Sequence, residues 1–500
     1  MKKFLSLVLS FALLLSLCAC GSESVAPAGT DAAGNAAPNA DTAANTTFDA
    51  VQVGFGAGDI TPSWPIGLQG YGNEATRIST GFQTYIYILC VAITDTKGET
   101  ALIMSIDAGG GGFEKNIRPA IESKFGIPQD HMILSALHQH STPYGGEQYI
   151  QLLISAAEKA VKQALDDRAP ATLYLNTVET EALSFVRHYI ANDPAGSIVT
   201  DNYNDAIGSA YGYKRHESES DKEMRLIKFV REGDKKPIIM VNFQAHPHMG
   251  AGSSNTNIHA DWPGIMRETV AKELNAHCIY FSGAGGNMNS TSRIAEENVS
   301  KDWKHHGERA ANYVIKAESS YTEAKLGDLK FKTVTNAYAT DHSMDHLLEE
   351  ATYIHNLRSQ DFDKAVQEVK KYPNLHSIYH ASSIVTKASR GETYDLTIGA
   401  ISIGDVAFTY HPYEMFDTNG MELRAGTVGN ANYEDDEKLE NPFAMTFICT
   451  LGNGSTCYVP SQLGYTTGGY STDITYFAPG SGERLVGDYL QILNELYNAE

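Results

Sequence analysis

Two histidine pairs frame the chemistry available to this sequence. His138 and His140 alternate with Gln139 in SALHQHSTPYGG, residues 135 to 146, and His246 and His248 flank Pro247 in AHPHMG. In extended backbone, residues two apart project from one face, so each pair would present two imidazoles together. Imidazoles from two strand ends could converge on a cation, and a catalytic zinc takes about three protein ligands and keeps one position open. A third ligand has to come from elsewhere. Glu414 in HPYEMF fits by residue type and by its place after an apolar run. Hydrogen-bonded pairs that merely close strands are the competing reading, and spacing alone leaves both open.

The elements that must position these residues are legible as alternating runs. HQHSTPYGG follows MILSAL, AHPHMG follows PIIMVNF, GAGGNMNS follows CIYFS, and HPYEMF follows VAFTY. Ligands in α/β folds bind beyond strand ends, so four such ends carrying His, Glu, Gly and Asn imply one site. Further strand-like runs are YIYILCVAIT, ETALIMSID and MRLIKFV, while FEKNIRPAIESKFG, YIQLLISAAEKAVKQALDD, PGIMRETVAKELN and GERAANYVIKAES carry apolar residues at helical spacing. The expected fold is α/β, with mixed β-sheets, flanking helices and the active site at strand ends. Residues 341 to about 372 read as helical throughout, and strand signals return in YDLTIGAISIGDVAFTYH. The glycines of DAGGGG (107 to 112) and SGAGGN (282 to 287) lack the spacing of a phosphate loop and suit tight turns or close backbone approach. No GxSxG supports a serine hydrolase.

Composition narrows the function classes. Among 500 residues, 38 Lys and Arg face 60 Asp and Glu, for a formal charge of −22. Such a field repels phosphate backbones, which argues against a nucleic-acid partner. The opening MKKFLSLVLSFALLLSLCACGSES has two lysines, an apolar stretch and small residues, the pattern of a secretory signal and not of a membrane span. Leu17-Cys18-Ala19-Cys20 resembles a bacterial lipobox with Cys20 as the lipidated residue. The expected organisation is a signal peptide over 1–19, lipidated Cys20 with a tether over 20–48, and a folded hydrolase domain over 49–500. The tether is nearly devoid of apolar side chains beyond alanine and cannot repay the entropy of ordering. This describes an exported bacterial lipoprotein, held at the cell membrane by its lipid anchor alone. Cys90, Cys278, Cys449 and Cys457 are too few for a disulfide framework, and leave open either a Cys449–Cys457 bridge or free buried thiols.

In their order, GFGAGDITPSWPIGLQGYG, SIDAGGG, ALHQHSTPYGG, FVRHYIAND, VNFQAHPHMG, HADWPG, GAGGNMN, PYEMF and CYVPSQLGYTTGGY resemble the motifs of the neutral/alkaline ceramidase family. These are zinc-dependent amidases that hydrolyse the N-acyl bond of ceramide. The likeness runs from about Val51 to Tyr470 and matches the family's catalytic domain without its C-terminal β-sandwich. It implies zinc bound by His138, His246, Glu414 and Tyr458. His140 would act on protons beside the metal, and Arg187 and Tyr470 would hold or polarise the amide of a lipid or other N-acyl substrate. In that chemistry a zinc-activated water attacks the amide carbonyl, an imidazole protonates the leaving amine, and a tyrosine hydroxyl stabilises the oxyanion. Two positions depart from the family. Gly283 stands where its loop carries a serine, with Ser282 one residue away, and Asn287 replaces the loop's acidic residue. Another ester or acyl amide is therefore the alternative substrate, and a ligand-binding surface lipoprotein without activity is the alternative function.

Overall fold

Residues 47 to 200, 206 to 426 and 439 to 499 are described by a computed structural model of the chain. The signal segment, Cys20 and all of the tether except residues 47 and 48 lie outside the described residues. The backbone N–H of Phe48 donates to the carbonyl of Thr96 at 3.0 Å, so ordered packing starts just ahead of residue 49.

Nine strands form the larger sheet. In chain order they are β1 (Gln52–Asp59), β2 (Tyr87–Thr94), β3 (Thr100–Ile106), β4 (Met132–Ala136), β5 (Ala169–Glu179), β6 (Glu223–Arg231), β7 (Ile238–Phe243), β8 (His277–Ser282) and β9 (Thr322–Ala324). They lie in the order β8-β7-β6-β5-β1-β2-β3-β4, with β9 against β5. The β3–β4 and β7–β8 pairs are parallel and the others antiparallel. A four-stranded sheet follows, β10 (Leu329–Ala339), β11 (Thr393–Ile403), β12 (Val406–His411) and β13 (Met445–Thr450), with its last pair parallel.

Alternation along a strand sends side chains to two different cores. Leu89, Val91 and Ile93 of β2 join Ile279 and Phe281 of β8 against Ile401, Phe408 and Phe447, so the two sheets pack face to face. Ile88, Cys90 and Ala92 point the other way, into α1 (Glu114–Phe125) and α2 (Glu147–Asp166). Along the same outer face α3 (Asp261–Glu273) and α4 (Trp303–Lys316) cover Val241 and Tyr280. Helices α5 (Leu348–Gln360), α6 (Phe362–Glu368) and α7 (Ile378–Ala388) hold a small core of their own around Ile354, Ala365 and Ile384. The far side of the second sheet is closed by α8 (Ser481–Asn498) through Leu485, Tyr489 and Leu493. The result is mixed α/β in helix, sheet, sheet and helix layers, the fold class expected.

Some elements escape periodicity. Strand β1 carries Gly54, Gly56 and Gly58 on one face, and a Cβ at each would lie 2.0, 1.9 and 2.1 Å from the carbonyl oxygens of Ala164, Ala160 and Ala156. The strand is a bed for α2, and its glycines hide the apolar alternation that marks a strand. Strands β5 and β10 are mostly half-buried or exposed, with buried positions only at Ala169 and Leu173 in β5 and at Leu329 and Tyr338 in β10, and α7 follows the expected helical stretch as an unread third helix. Cys90, Cys278, Cys449 and Cys457 are all free and buried, so the free-thiol reading holds. Among the described residues, no helix is long and apolar enough to cross a membrane.

Candidate metal centre

The two histidine loops are drawn together by β13, the edge strand of the second sheet. Its outer backbone edge is satisfied by buried side chains of the larger sheet. Asn242 of β7 donates to the carbonyl of Ile448 at 2.9 Å and accepts from its N–H at 3.2 Å, and Ser135 Oγ of β4 donates to Thr450 O at 2.8 Å. An unpaired buried ladder edge is costly, so these bonds clamp β4 and β7 on one seam. His138 follows β4, His246 follows β7, and Glu414 and Tyr458 follow β12 and β13, where Glu414–Met415 and Tyr458–Val459 pair as a short parallel ladder.

His138 is not in extended backbone, contrary to the same-face geometry expected for His-x-His; its φ is +63°, in the left-handed region. The tight loop is imposed by Gln139, whose side chain turns inward. Gln139 Nε2 donates to Asp107 Oδ1 at 2.7 Å and to Ala260 O at 3.0 Å. Asp107 in turn accepts two bonds from Arg267, at 2.9 and 2.7 Å, and one from the N–H of Tyr87. This buried ion pair anchors the loop so that both imidazoles face the cleft.

Hydrogen bonding then assigns the ring protons. His138 Nδ1 lies 2.7 Å from Gly109 O, and His246 Nδ1 lies 2.7 Å from Met288 O. A carbonyl only accepts, so each Nδ1 donates and each Nε2 keeps its lone pair. Those Nε2 atoms stand 3.2 and 3.1 Å from Oε2 of Glu414, which is also an acceptor. His246 Nε2 and Glu414 Oε2 are buried with no hydrogen-bond donor. Three lone pairs within 4.8 Å of one another repel unless a cation joins them. Two imidazoles and a carboxylate suit zinc and its first-row neighbours. Burial lowers the His246 imidazole to about 4. Burial also opposes ionisation of Glu414, but the imidazoles of His138 and His246 when protonated, together with the Arg187 guanidinium, outweigh it and lower the pKa of the carboxyl. Both groups are thus in their metal-binding protonation states at neutral pH.

The remaining candidates gather at the same place. The ring of His140 is 4.9 Å from that of His138 and 6.1 Å from that of His246, and its Nε2 is 3.4 Å from His138 Nε2. Desolvation, helped by the imidazoles of His138, His248 and His246, holds His140 well below its usual pKa. His248 departs from its partner: its Nε2 bonds Asn289 Oδ1 at 3.1 Å. Arg187 donates to Gly286 O and Ser471 Oγ at 2.7 and 2.6 Å, and its guanidinium lies 5.3 Å from the Tyr458 ring and 5.8 Å from the Tyr470 ring. Two adjoining cavities of about 550 and 450 Å³ share His140, Tyr458 and Tyr470; Arg187 and His246 line the first, His138 and Glu414 the second. In the loop that departs from the ceramidase pattern, Asn287 is bound to Asp417 in both directions, at 2.7 and 2.9 Å, and Gly283 offers no side chain.

Sequence reasoning missed Arg77, whose guanidinium bonds the carbonyls of Gln69 and of His140, the latter at 2.7 Å, tying two site loops together. It also missed Tyr379 of α7, which lines both cavities and donates to Tyr71 O at 2.8 Å. Neither residue sits in a motif, so only an unread helix and a loop arginine could have signalled them.

No family model matches the chain. Solved structures do resemble it. Neutral ceramidase from Pseudomonas aeruginosa superposes with a TM-score of 0.64 over 89% of this chain and 74% of that one, at 14% sequence identity. This chain has the neutral ceramidase fold. A ceramidase complexed with C2 gives 0.65 over 90% and 75%, again at 14% identity. The sequence resemblance and the ceramidase fold therefore agree, and the motifs that carry His138, His246 and Glu414 follow the strand ends described above.

Proposed function

We propose that the protein is a zinc-dependent hydrolase of N-acyl amide bonds, of ceramidase type, with His138, His246, Glu414 and Tyr458 as the metal ligands. The observation that carries this reading is the buried meeting of three lone pairs, from His138, His246 and Glu414, on a ceramidase fold. Zinc bound there supplies Lewis acidity, which polarises the amide carbonyl and makes water a stronger acid. His140, neutral at pH 7 and beside the ligands, accepts a proton from water and returns it to the leaving amine. Burial raises the pKa of Tyr470, so its hydroxyl stays protonated and can donate to the developing oxyanion. Arg187, fixed by Gly286 and Ser471, adds positive charge on the same side.

The same groups would cleave an ester or a different acyl amide. The bare Gly283 position, where ceramidases carry a serine, favours a substrate other than ceramide. We also propose export with lipidation at Cys20, so that the protein meets a small-molecule substrate at the membrane surface through its anchor and engages no nucleic acid.

The test is metal content of purified protein, wild type beside His246→Ala, followed by hydrolysis of N-acyl amides with and without a chelator. The expected result is about one zinc per chain, nearly lost in the variant, and activity abolished by chelation. Full metal content in His246→Ala, or none in reconstituted wild type, overturns the reading.

A further inference from the structure

The cavities around the centre offer few aliphatic side chains to the two chains of a lipid. Among the described residues, no Leu, Ile, Val, Met or Phe lines the 550 Å³ cavity, and Ile474 is the one aliphatic side chain lining the 450 Å³ cavity. Tyrosines, glycines, imidazoles, hydroxyls and guanidinium groups make the walls. Alkyl chains gain about 0.8 kcal/mol for each methylene buried against apolar surface, and here that surface comes from tyrosine rings and hardly at all from aliphatic side chains.

Opposite the metal ligands, the 450 Å³ cavity is bounded by α5 and α7. His355 and Arg358, one turn apart on α5, both reach Ser382 Oγ of α7, each at 3.1 Å. The Arg358 guanidinium lies 4.9 Å from the Tyr379 ring centre, and Ser382 is its one hydrogen-bond partner among the described residues. No described carboxylate pairs with it. A half-buried guanidinium held by an aromatic face and a hydroxyl, in a chain of net charge −22, is a local attractor for an anion. Its planar fork matches a carboxylate with two parallel bonds.

We propose that the substrate is a compact polar amide with a short acyl chain and an anionic group, of the N-acyl amino acid class, and that Arg358 receives its carboxylate. The amide part of this statement rests on the hydrolase reading above; the anion site does not. Arg358 is a specificity-determining residue, set on a helical unit that the strand-end motifs do not include.

The probe is N-methanesulfonyl-L-phenylalanine, whose sulfonamide resists hydrolysis, compared with its neutral carboxamide by calorimetric titration of the metal-loaded protein. The acid should bind about tenfold more tightly than the carboxamide. Arg358→Ala should bring the two within about twofold, and Arg358→Lys should keep part of the difference. Matching melting temperatures would establish that both variants are folded. Equal binding of acid and carboxamide, binding of neither, or an advantage for the acid that survives Arg358→Ala each overturns the proposal, the last by placing the carboxylate on the metal. Hydrolysis of N-acetyl-L-phenylalanine and of ceramide is followed separately. Tight, Arg358-dependent binding without any hydrolysis would sink the amidase reading and leave the anion site, whereas ceramide hydrolysis with equal binding would do the reverse.

Discussion

At the scale of single residues, Glu414 faces two imidazole lone pairs, and this arrangement makes opposite demands on metal-loaded and metal-free protein. Glu414→Gln should nearly abolish metal binding, because a neutral amide is a much poorer ligand for zinc than a carboxylate. In chelator, however, its NH₂ group can donate to the Nε2 atoms that the carboxylate cannot serve. Each new buried bond contributes about 1 kcal/mol. The variant should therefore melt higher than wild type when both are metal-free, and a lower melting temperature would contradict the proton assignment of His138 and His246. A second residue-scale expectation concerns Asp107, which neutralises Arg267 and holds Gln139. Asp107→Ala leaves a buried guanidinium unpaired, which costs about 3 to 5 kcal/mol. Denaturant titration reads that loss. Because Gln139 sits between the site histidines, zinc affinity should also fall, by about 10-fold or more, as for other groups that orient metal ligands.

Among the elements, β1 and α2 illustrate why a strand without apolar alternation is still obligatory. The glycines let the helix backbone approach the sheet as no side chain would permit. Gly56→Ala places a methyl 1.9 Å from Ala160 O, a contact that only displacement of α2 can relieve. The expected cost is about 3 kcal/mol or more, read as a lower denaturation midpoint with an unchanged slope. A neutral effect would mean that α2 slides freely on the sheet. The histidine loops depend on elements in a different way. Their strands β4 and β7 were visible as apolar runs, but the seam that joins them is made by Asn242 and Ser135, polar residues within those runs whose partners lie on β13. Nothing local distinguishes such a residue from a solvated one. Helices α5 and α6 fall within the stretch read as helical and α7 was unread, while Arg358 on α5 and Tyr379 on α7, the residues that shape the cavity away from the metal, sit in no motif.

For the whole molecule, acid stability follows from histidines buried as neutral rings. Burial lowers His306 and His411 to about 3, against an unfolded value of about 6.5. Between these values the unfolded chain binds more protons than the folded one, so stability is full above about 6.5 and falls as pH drops toward 3. Thermal melts in chelator, which removes any contribution from metal release, should show a steady decline from pH 7 to pH 4. His306→Gln should flatten that slope even if it lowers stability at pH 7, and an unchanged slope would remove His306 from the account. Local pattern by itself determined most of the strand and helix periodicities, the mixed α/β class and the candidate histidines and carboxylate at strand ends, because these depend on neighbours within a turn or two of the chain. Only the tertiary structure decided that His138, His246 and Glu414 share one point, that His138 bends left-handed to reach it, which ring nitrogens carry protons, and that few aliphatic side chains line the surrounding walls. Each of those outcomes is set by hydrogen bonds and packing between segments far apart in sequence, where a buried polar group takes whatever partner the fold brings to it.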